Sequence, residues 1–297
     1  MDYAFLITAA FLYSLMFLTN RGYQRNNGTG LRVALTFTLY TSLIALGIFL
    51  VLTVIGKISG FGVLSGFKLE FSWFSFLLAI FSSFILIGYS IFSIKALGEV
   101  NLSLYSIFAM LGGMLLPSIY GLIFSKEPLT WGKIACYVLI AVALILTFEK
   151  GRKGSKRSLI YCFGVFVLNG LSGVVTSIHR EPQFAHLAIS SEDYTMTNRA
   201  INVVLCLVVL LIVYKKFPKL QIRDIGNVSG NAVCSGMGNL LQLIALVSLP
   251  SSVLFPIITG GTMLFSMIVS FIIKEKPSVK TIIASVLAAA STVLMMF

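Results

Sequence analysis

Residues 96–129 read ALGEVNLSLYSIFAMLGGMLLPSIYGLIFSKEPL, and residues 245–278 read ALVSLPSSVLFPIITGGTMLFSMIVSFIIKEKPS. The two stretches stand at a constant offset of 149, and the register holds without gaps from 96–146 onto 245–295. Matches such as Leu97/Leu246, Met114/Met263, Leu115/Leu264, Ile119/Ile268 and Ile123/Ile272 arise easily between apolar segments. Ser103/Ser252, Gly112/Gly261, Pro128/Pro277 and the paired turns Ser-Lys-Glu-Pro and Lys-Glu-Lys-Pro do not. The chain therefore contains an internal repeat, and the repeated unit sets how the fold is counted.

Working outward, charged residues are 11% of the 297 and hydrophobic residues 58%, and the mean hydropathy is +0.98. A soluble domain carries about 25% charged residues, so a soluble globular fold is excluded. Disorder needs low hydrophobicity and high charge and is excluded as well. Ten apolar runs are readable, at 3–20, 31–56, 71–96, 101–124, 130–148, 157–179, 195–214, 226–248, 251–273 and 278–297. Strands of an outer-membrane barrel would be about ten residues long and alternating. Runs of about 20 residues that must satisfy their own backbone in lipid are helices.

The expected fold is an all-α integral membrane protein with ten transmembrane helices in two inverted five-helix repeats. Its first repeat is 1–149, a basic linker is 150–156, and the second repeat is 157–297. Five is odd, so the second copy enters the membrane from the opposite side, the inverted topology found in secondary transporters. A symmetric scaffold without transport would carry the same repeat.

Lys and Arg number 22 against 10 Asp and Glu, a net charge of +12. They stand almost wholly between the apolar runs, which points to membrane topology rather than to nucleic acid, and no nucleic-acid partner is expected. Side A, with both termini and the even-to-odd connections, holds Lys57, Lys68, Lys126, Lys133, Arg180 and Arg199. Side B holds the other sixteen, including Lys150, Arg152, Lys153, Lys156, Arg157, Lys215, Lys216, Lys219 and Arg223. The excess places side B in the cytoplasm and the termini outside a cell inner or plasma membrane. The phosphate-loop pattern of ATP-driven pumps is missing. The four cysteines lie singly inside apolar runs, so neither disulfide nor zinc is expected. Tyr3–Thr19 has no basic segment before it and no small-residue cleavage site after it, unlike a signal peptide. No cofactor and no metal are expected.

Further marks carry a family resemblance. An Ala-Leu pair ends the third run of each half (Ala96-Leu97, Ala245-Leu246) before a short turn into the fourth. An acidic turn with proline precedes the fifth (Glu127-Pro128; Glu275 and Pro277), and Pro117 and Pro256 lie within the fourth runs. In these features the chain resembles the drug/metabolite transporter superfamily, in its ten-helix form with paired EamA-type repeats, over nearly its whole length. The resemblance implies a central cavity lined mainly by helices 1, 3, 4, 6, 8 and 9, with helices 5 and 10 peripheral or at a dimer contact. It implies a small-molecule substrate among membrane lipids. Two inverted halves are already complete in one copy, so a monomer suffices and a dimer is compatible.

All ten acidic residues stand at run ends or in loops. Intramembrane carboxylates are the usual proton and cation carriers of transporters. The small four-helix multidrug members of the superfamily depend on a glutamate in the first helix, which is missing here, so proton-coupled drug export of that type is not expected. Paired titratable groups for acid-base chemistry are missing from mid-span too, and the chain is not expected to be an enzyme.

The candidate substrate residues are the mid-span polar ones. Asn231, Ser235, Asn239 and Gln242 share one face of helix 8, and Asn169, Ser172 and Thr176 one face of helix 6. Each stripe fits a substrate surface or interhelical hydrogen bonding. Tyr13, Tyr89 and Tyr105 could enclose a cation or simply pack. Thr259-Gly260-Gly261-Thr262, after Pro256, corresponds to Met110-Leu111-Gly112-Gly113. Such segments suit either a broken helix at a binding site or tight helix packing. Lys95, one turn before the third run ends, could meet an anion or snorkel to the interface. His179 and Arg180 mark an interface or gate, and His186 has no partner at metal-ligand spacing. The expected function is secondary transport, by alternating access, of a small polar metabolite such as an amino-acid-like, neutral or zwitterionic solute. A flippase for a lipid-linked metabolite and a membrane scaffold or sensor are the alternatives.

Overall fold

In the computed structural model the described residues are 2–59, 68–147, 156–215, 219–248 and 251–294, and none of these is in a strand. Ten α-helices follow in order: α1 Asp2–Asn27, α2 Leu31–Ser59, α3 Trp73–Glu99, α4 Leu102–Ile123, α5 Trp131–Thr147, α6 Lys156–Arg180, α7 Ser191–Tyr214, α8 Ile225–Ser248, α9 Ser251–Ile272 and α10 Val279–Leu294. Each apolar run of the sequence falls on one of them. The ends differ most at α1, which continues past Asn20 to Asn27, and at α7, which begins at Ser191 rather than at 195. Lys150, Arg152, Lys153, Lys216 and most of the basic linker lie outside the described residues.

Six helices, α1, α2, α3, α4, α6 and α7, are long and apolar enough to cross a membrane. Their apolar composition does not by itself stop a helix, so the ends are set by caps. The Asn101 side chain accepts from the Leu104 N–H at 2.8 Å and starts α4. Ser190 accepts from Asp193 N–H at 3.1 Å and starts α7, with Glu192 and Asp193 in the first turn where the helix dipole favours acids. The end of α9 is closed by Lys274, whose φ of 60° is left-handed. Its N–H donates to the Phe271 carbonyl while the Glu275 N–H donates back to Ser270 at 2.9 Å, a Schellman turn.

The packing has a two-fold pattern. α1 lies on α8 and α9, as α6 lies on α3 and α4. α2 lies on α7 and α8, as α7 lies on α2 and α3. α4 crosses α9, and α5 lies on α10. Exchanging each helix of the first five for its counterpart in the second five maps α1–α8, α1–α9 and α2–α8 onto α3–α6, α4–α6 and α3–α7, and α2–α7, α4–α9 and α5–α10 each onto itself. α4 and α9 are both 22 residues long, and their ends differ by the repeat offset.

The matched glycines explain part of that pattern. A Cβ on Gly112 would stand 2.0 Å from the Phe166 carbonyl oxygen of α6, and one on Gly261 would stand 2.9 Å from the Ala10 Cβ of α1. Both glycines occur where the fourth helix of a half meets the first helix of the other. Each crossing also carries a side chain bonded to a facing carbonyl: Asn169 Nδ2 donates to Ala109 O at 2.6 Å, and Thr262 Oγ1 to Ala10 O at 3.3 Å. The core gathers around α4, where Leu102, Tyr105, Ile107 and Leu111 are fully enclosed together with Phe17 and Ile140.

Outward faces stay apolar. Phe81, Phe84, Ile145, Ile212 and Ile272 are all exposed, far more apolar surface than a water-soluble monomer tolerates. Both tryptophans, Trp73 and Trp131, are the exposed first residues of α3 and α5, where interfacial anchors belong in a membrane protein.

Candidate functional site

The best candidate site joins the two halves of the chain. Tyr13, mid-way along α1, points at α8: its hydroxyl lies 2.6 Å from Asn239 Oδ1 and 2.9 Å from Gln242 Oε1. Gly238 makes room for the ring, because a Cβ there would meet Tyr13 Cε1 at 3.0 Å. A phenol has one proton, so it cannot satisfy both carbonyl oxygens at once. The amide N–H groups of Asn239 and Gln242 have no protein partner among the described residues. All three side chains are half-buried.

A fourth residue belongs here. Arg199 is the ninth residue of α7, so it stands about 12 Å inside the helix start at 1.5 Å per residue. Its electrostatic neighbour is Tyr13, and Tyr13 has no other charged neighbour among the described residues. α7 packs on α2 and α3, and the link from Arg199 to the α1–α8 pair is its electrostatic interaction with Tyr13. No carboxylate pairs with it among the described residues, and it makes no hydrogen bond there. Sequence reasoning counted Arg199 with the side A charges and did not name it as a site residue; the structure puts it inside α7. The signal was present: Ser190 followed by Glu192 and Asp193 is a helix-start signature, and it puts Arg199 two turns inside.

The other candidates distribute differently. Asn231 is used up by α1, donating to Met16 O at 3.0 Å, Thr19 Oγ1 at 3.2 Å and Asn20 Oδ1 at 2.8 Å. Ser235 is buried and bonds back to Ala232 O at 3.2 Å in its own helix. The helix 8 stripe thus divides, with its first half stitching helices and its second half sharing the Tyr13 hydroxyl. Asn169 holds the α4–α6 crossing. Ser172 is half-buried, with its carbonyl accepting from Thr176 at 3.0 Å.

Tyr105 is 0% exposed and packs edge-on against Phe17; its hydroxyl sits 2.8 Å from that of Tyr89 and 2.7 Å from Ser93 Oγ. Thr259 is buried near Met114 Sδ, and α4 and α9 run unbroken through their Gly pairs. Lys95 lies 5.5 Å over the Tyr161 ring, toward the opposite end of the bundle from Arg199. His179 stacks on Tyr194 at 4.0 Å and meets Ser75 Oγ at 3.1 Å.

The side B end carries a second charged cluster. The Schellman turn after α9 aims Glu275 at the start of α4, where its carboxylate accepts from the Leu102 N–H at 2.7 Å. Arg21 and Arg25 of α1 reach it at 2.8 and 2.9 Å. Arg21 also donates to Val100 O at 2.9 Å. Nearby, Asn26 donates to Asp224 at 2.8 Å and Arg223 to Asn26 O at 3.0 Å. The ends of α1 and α9 and the starts of α4 and α8 are therefore drawn together. On side A, Asp193 accepts from the N–H groups of Lys68, Leu69 and Glu70, which ties α7 to the segment before α3 and leaves α1 free of that tie.

No family model matches the chain, and no curated protein matches it significantly. Among solved structures, one described as "Crystal structure of protein" superposes with a TM-score of 0.64 at 16% identity, over 99% of this chain and 95% of that one. The chain is thus similar to it in fold across nearly its full length.

Proposed function

We propose that the protein is a secondary transporter that carries a small polar organic metabolite by alternating access, with ten membrane-spanning helices in two inverted five-helix halves, as in the drug/metabolite transporters it resembles. The observation that carries the reading is the half-satisfied polar cluster of Tyr13, Asn239, Gln242 and Arg199. It is built from α1 of one half and α7 and α8 of the other, so relative motion of the halves remakes it. Polar groups with unmet hydrogen bonds are costly in a bundle within lipid, and a solute that completes them recovers that cost. The two-fold contact pattern supports the second requirement, since exchanging the halves gives a second packing of similar contacts. In this reading side B faces the cytoplasm, and the Arg21–Arg25–Glu275 cluster is the closed gate of an outward-facing state. One copy suffices.

The test is counterflow in liposomes containing the purified full chain, with radiolabelled amino acids, nucleosides, choline-like cations and sugar phosphates. Saturable exchange of one class above protein-free liposomes is expected. Folded protein that exchanges none of the four classes overturns the reading.

A further inference from the structure

We infer that Arg199 is the anchor for a carboxylate, and that the solute carried by the α1–α7–α8 site is a small organic acid or amino acid bearing one such group. The inference rests on the transport reading and adds the chemical class of its substrate.

Charge balance comes first. Three other arginines of the described helices have a partner of opposite charge or an aromatic face. Arg21 and Arg25 share Glu275, and Arg32 lies 5.7 Å over the Tyr214 ring. Arg199 has neither. The nearest acids on its own helix are Glu192 and Asp193, about two turns nearer side A. Asp193 is occupied by three backbone N–H groups, and Glu192 forms no ion pair with Arg199. A guanidinium held in a low-dielectric space without a counter-ion is kept only where something else supplies the charge. A single guanidinium presents a planar fork that matches one carboxylate. With one positive charge, the site balances a monoanion and would leave a phosphate dianion in excess.

Position comes second. Tyr13, Arg199, Asn239 and Gln242 come from three helices and lie at overlapping depths from the side A ends of those helices. At 1.5 Å per residue these are about 17, 12, 14 and 9 Å. Arg199 and Tyr13 are near enough to interact electrostatically, and Tyr13 is bonded to both amides, the juxtaposition on which the inference rests. The carbonyl oxygens of Asn239 and Gln242, which now compete for one phenol proton, offer an acceptor to an ammonium or hydroxyl beside the carboxylate. Their amide N–H groups offer donors. No acidic side chain among the described residues lines this group, so nothing repels an anion.

Two measurements on the purified full chain test this. In the first, the panel is the twenty L-amino acids, lactate and pyruvate, each set beside its primary amide, together with inorganic phosphate, sulfate and choline. Binding is read by thermal shift and by counterflow for wild type, Arg199→Gln, Arg199→Lys and the control Lys280→Gln, an exposed residue of α10. The expected result is a carboxylate that binds while its amide does not. Its affinity should fall about 100-fold in Arg199→Gln, about the loss of one desolvated charge-assisted pair, fall less in Arg199→Lys, and hold in Lys280→Gln. Equal binding of acid and amide, or affinity in Arg199→Gln within about 3-fold of wild type, overturns the carboxylate while leaving transport intact. Phosphate or sulfate outcompeting every carboxylate replaces the class. Absence of flux for every compound of this panel overturns the carboxylate, and the transport reading falls as well when nucleosides and sugar phosphates also give none.

The second measurement needs no substrate. Phenylglyoxal labelling of the folded protein, read by mass spectrometry, should modify Arg199 and spare Arg21, and the bound carboxylate should slow the reaction at Arg199. An Arg199 that stays unlabelled in folded protein overturns the inference, because it would mean a closed and partnered guanidinium.

Discussion

Arg21 and Arg199 are both guanidiniums within the helix bundle, and they are treated in opposite ways. Arg21 is 13% exposed and meets Glu275, itself 8% exposed, at 2.8 Å, with the Val100 carbonyl as a further acceptor. Glu275 is in turn saturated by Leu102 N–H and Arg25. Arg199 has a phenol for company and no acid. Arg21 meets its counter-ion, although its Nε is buried without a hydrogen-bond partner; a buried charge with a counter-ion fixes geometry, whereas one without an acid costs stability. The first region is built to close an end of the bundle; the second is built to be completed.

The comparison breaks most readily at Glu275. Glu275→Gln leaves Arg21 buried without its counter-ion and is expected to cost about 3 kcal/mol, seen as a lowered melting temperature of the detergent-purified protein. An unchanged melting temperature would show that the cluster holds nothing. Arg199→Leu is expected to act with the opposite sign. Removing an unpaired charge should raise the melting temperature by about 1 kcal/mol of added stability while binding is lost, the trade-off typical of functional sites. If Arg199→Leu destabilises as Glu275→Gln does, the two arginines are alike and the contrast fails.

Smaller effects sharpen the picture. Tyr13→Phe removes one hydrogen bond that is shared between two acceptors, so about 1 kcal/mol or less is expected in a thermal melt. In the same variant both amide carbonyls are freed, and carboxylate binding should weaken less than in Arg199→Gln. Arg25 is 51% exposed, and Arg25→Gln should cost about 0.5 kcal/mol at low salt and nothing measurable at 1 M salt. A salt-insensitive loss there would mean that Arg25, rather than Arg21, carries the closure.

The repeated glycines show how far sequence reading reached. Gly112 and Gly261 matched at the repeat offset, and two uses were open for them, a broken helix at a binding site or close packing. The helices run unbroken through both, and a Cβ at Gly112 would collide with a backbone oxygen. That choice depends on which helix lies opposite, which no local pattern encodes. The stripe on α8 was legible as one face, yet it splits between Asn231, spent on Met16 O and Asn20, and Asn239 with Gln242, sharing the Tyr13 hydroxyl. A periodicity of 3.6 places residues on a face and is silent about what that face meets.

The sequence alone determined the all-helical class, the positions of ten apolar helices and the offset of 149 between their repeats, because hydrophobicity and backbone pairing are local requirements in an apolar solvent. Tertiary structure decided which polar groups are spent and which are left over. Glu275 became a structural ion because a left-handed turn at Lys274 aims it at α4. Arg199 was left without an acidic partner among the described residues, on a helix that packs on α2 and α3. Both residues are charges near helix ends in the sequence, and only the distances to their neighbours, on which Coulomb energy and hydrogen bonding depend, tell them apart.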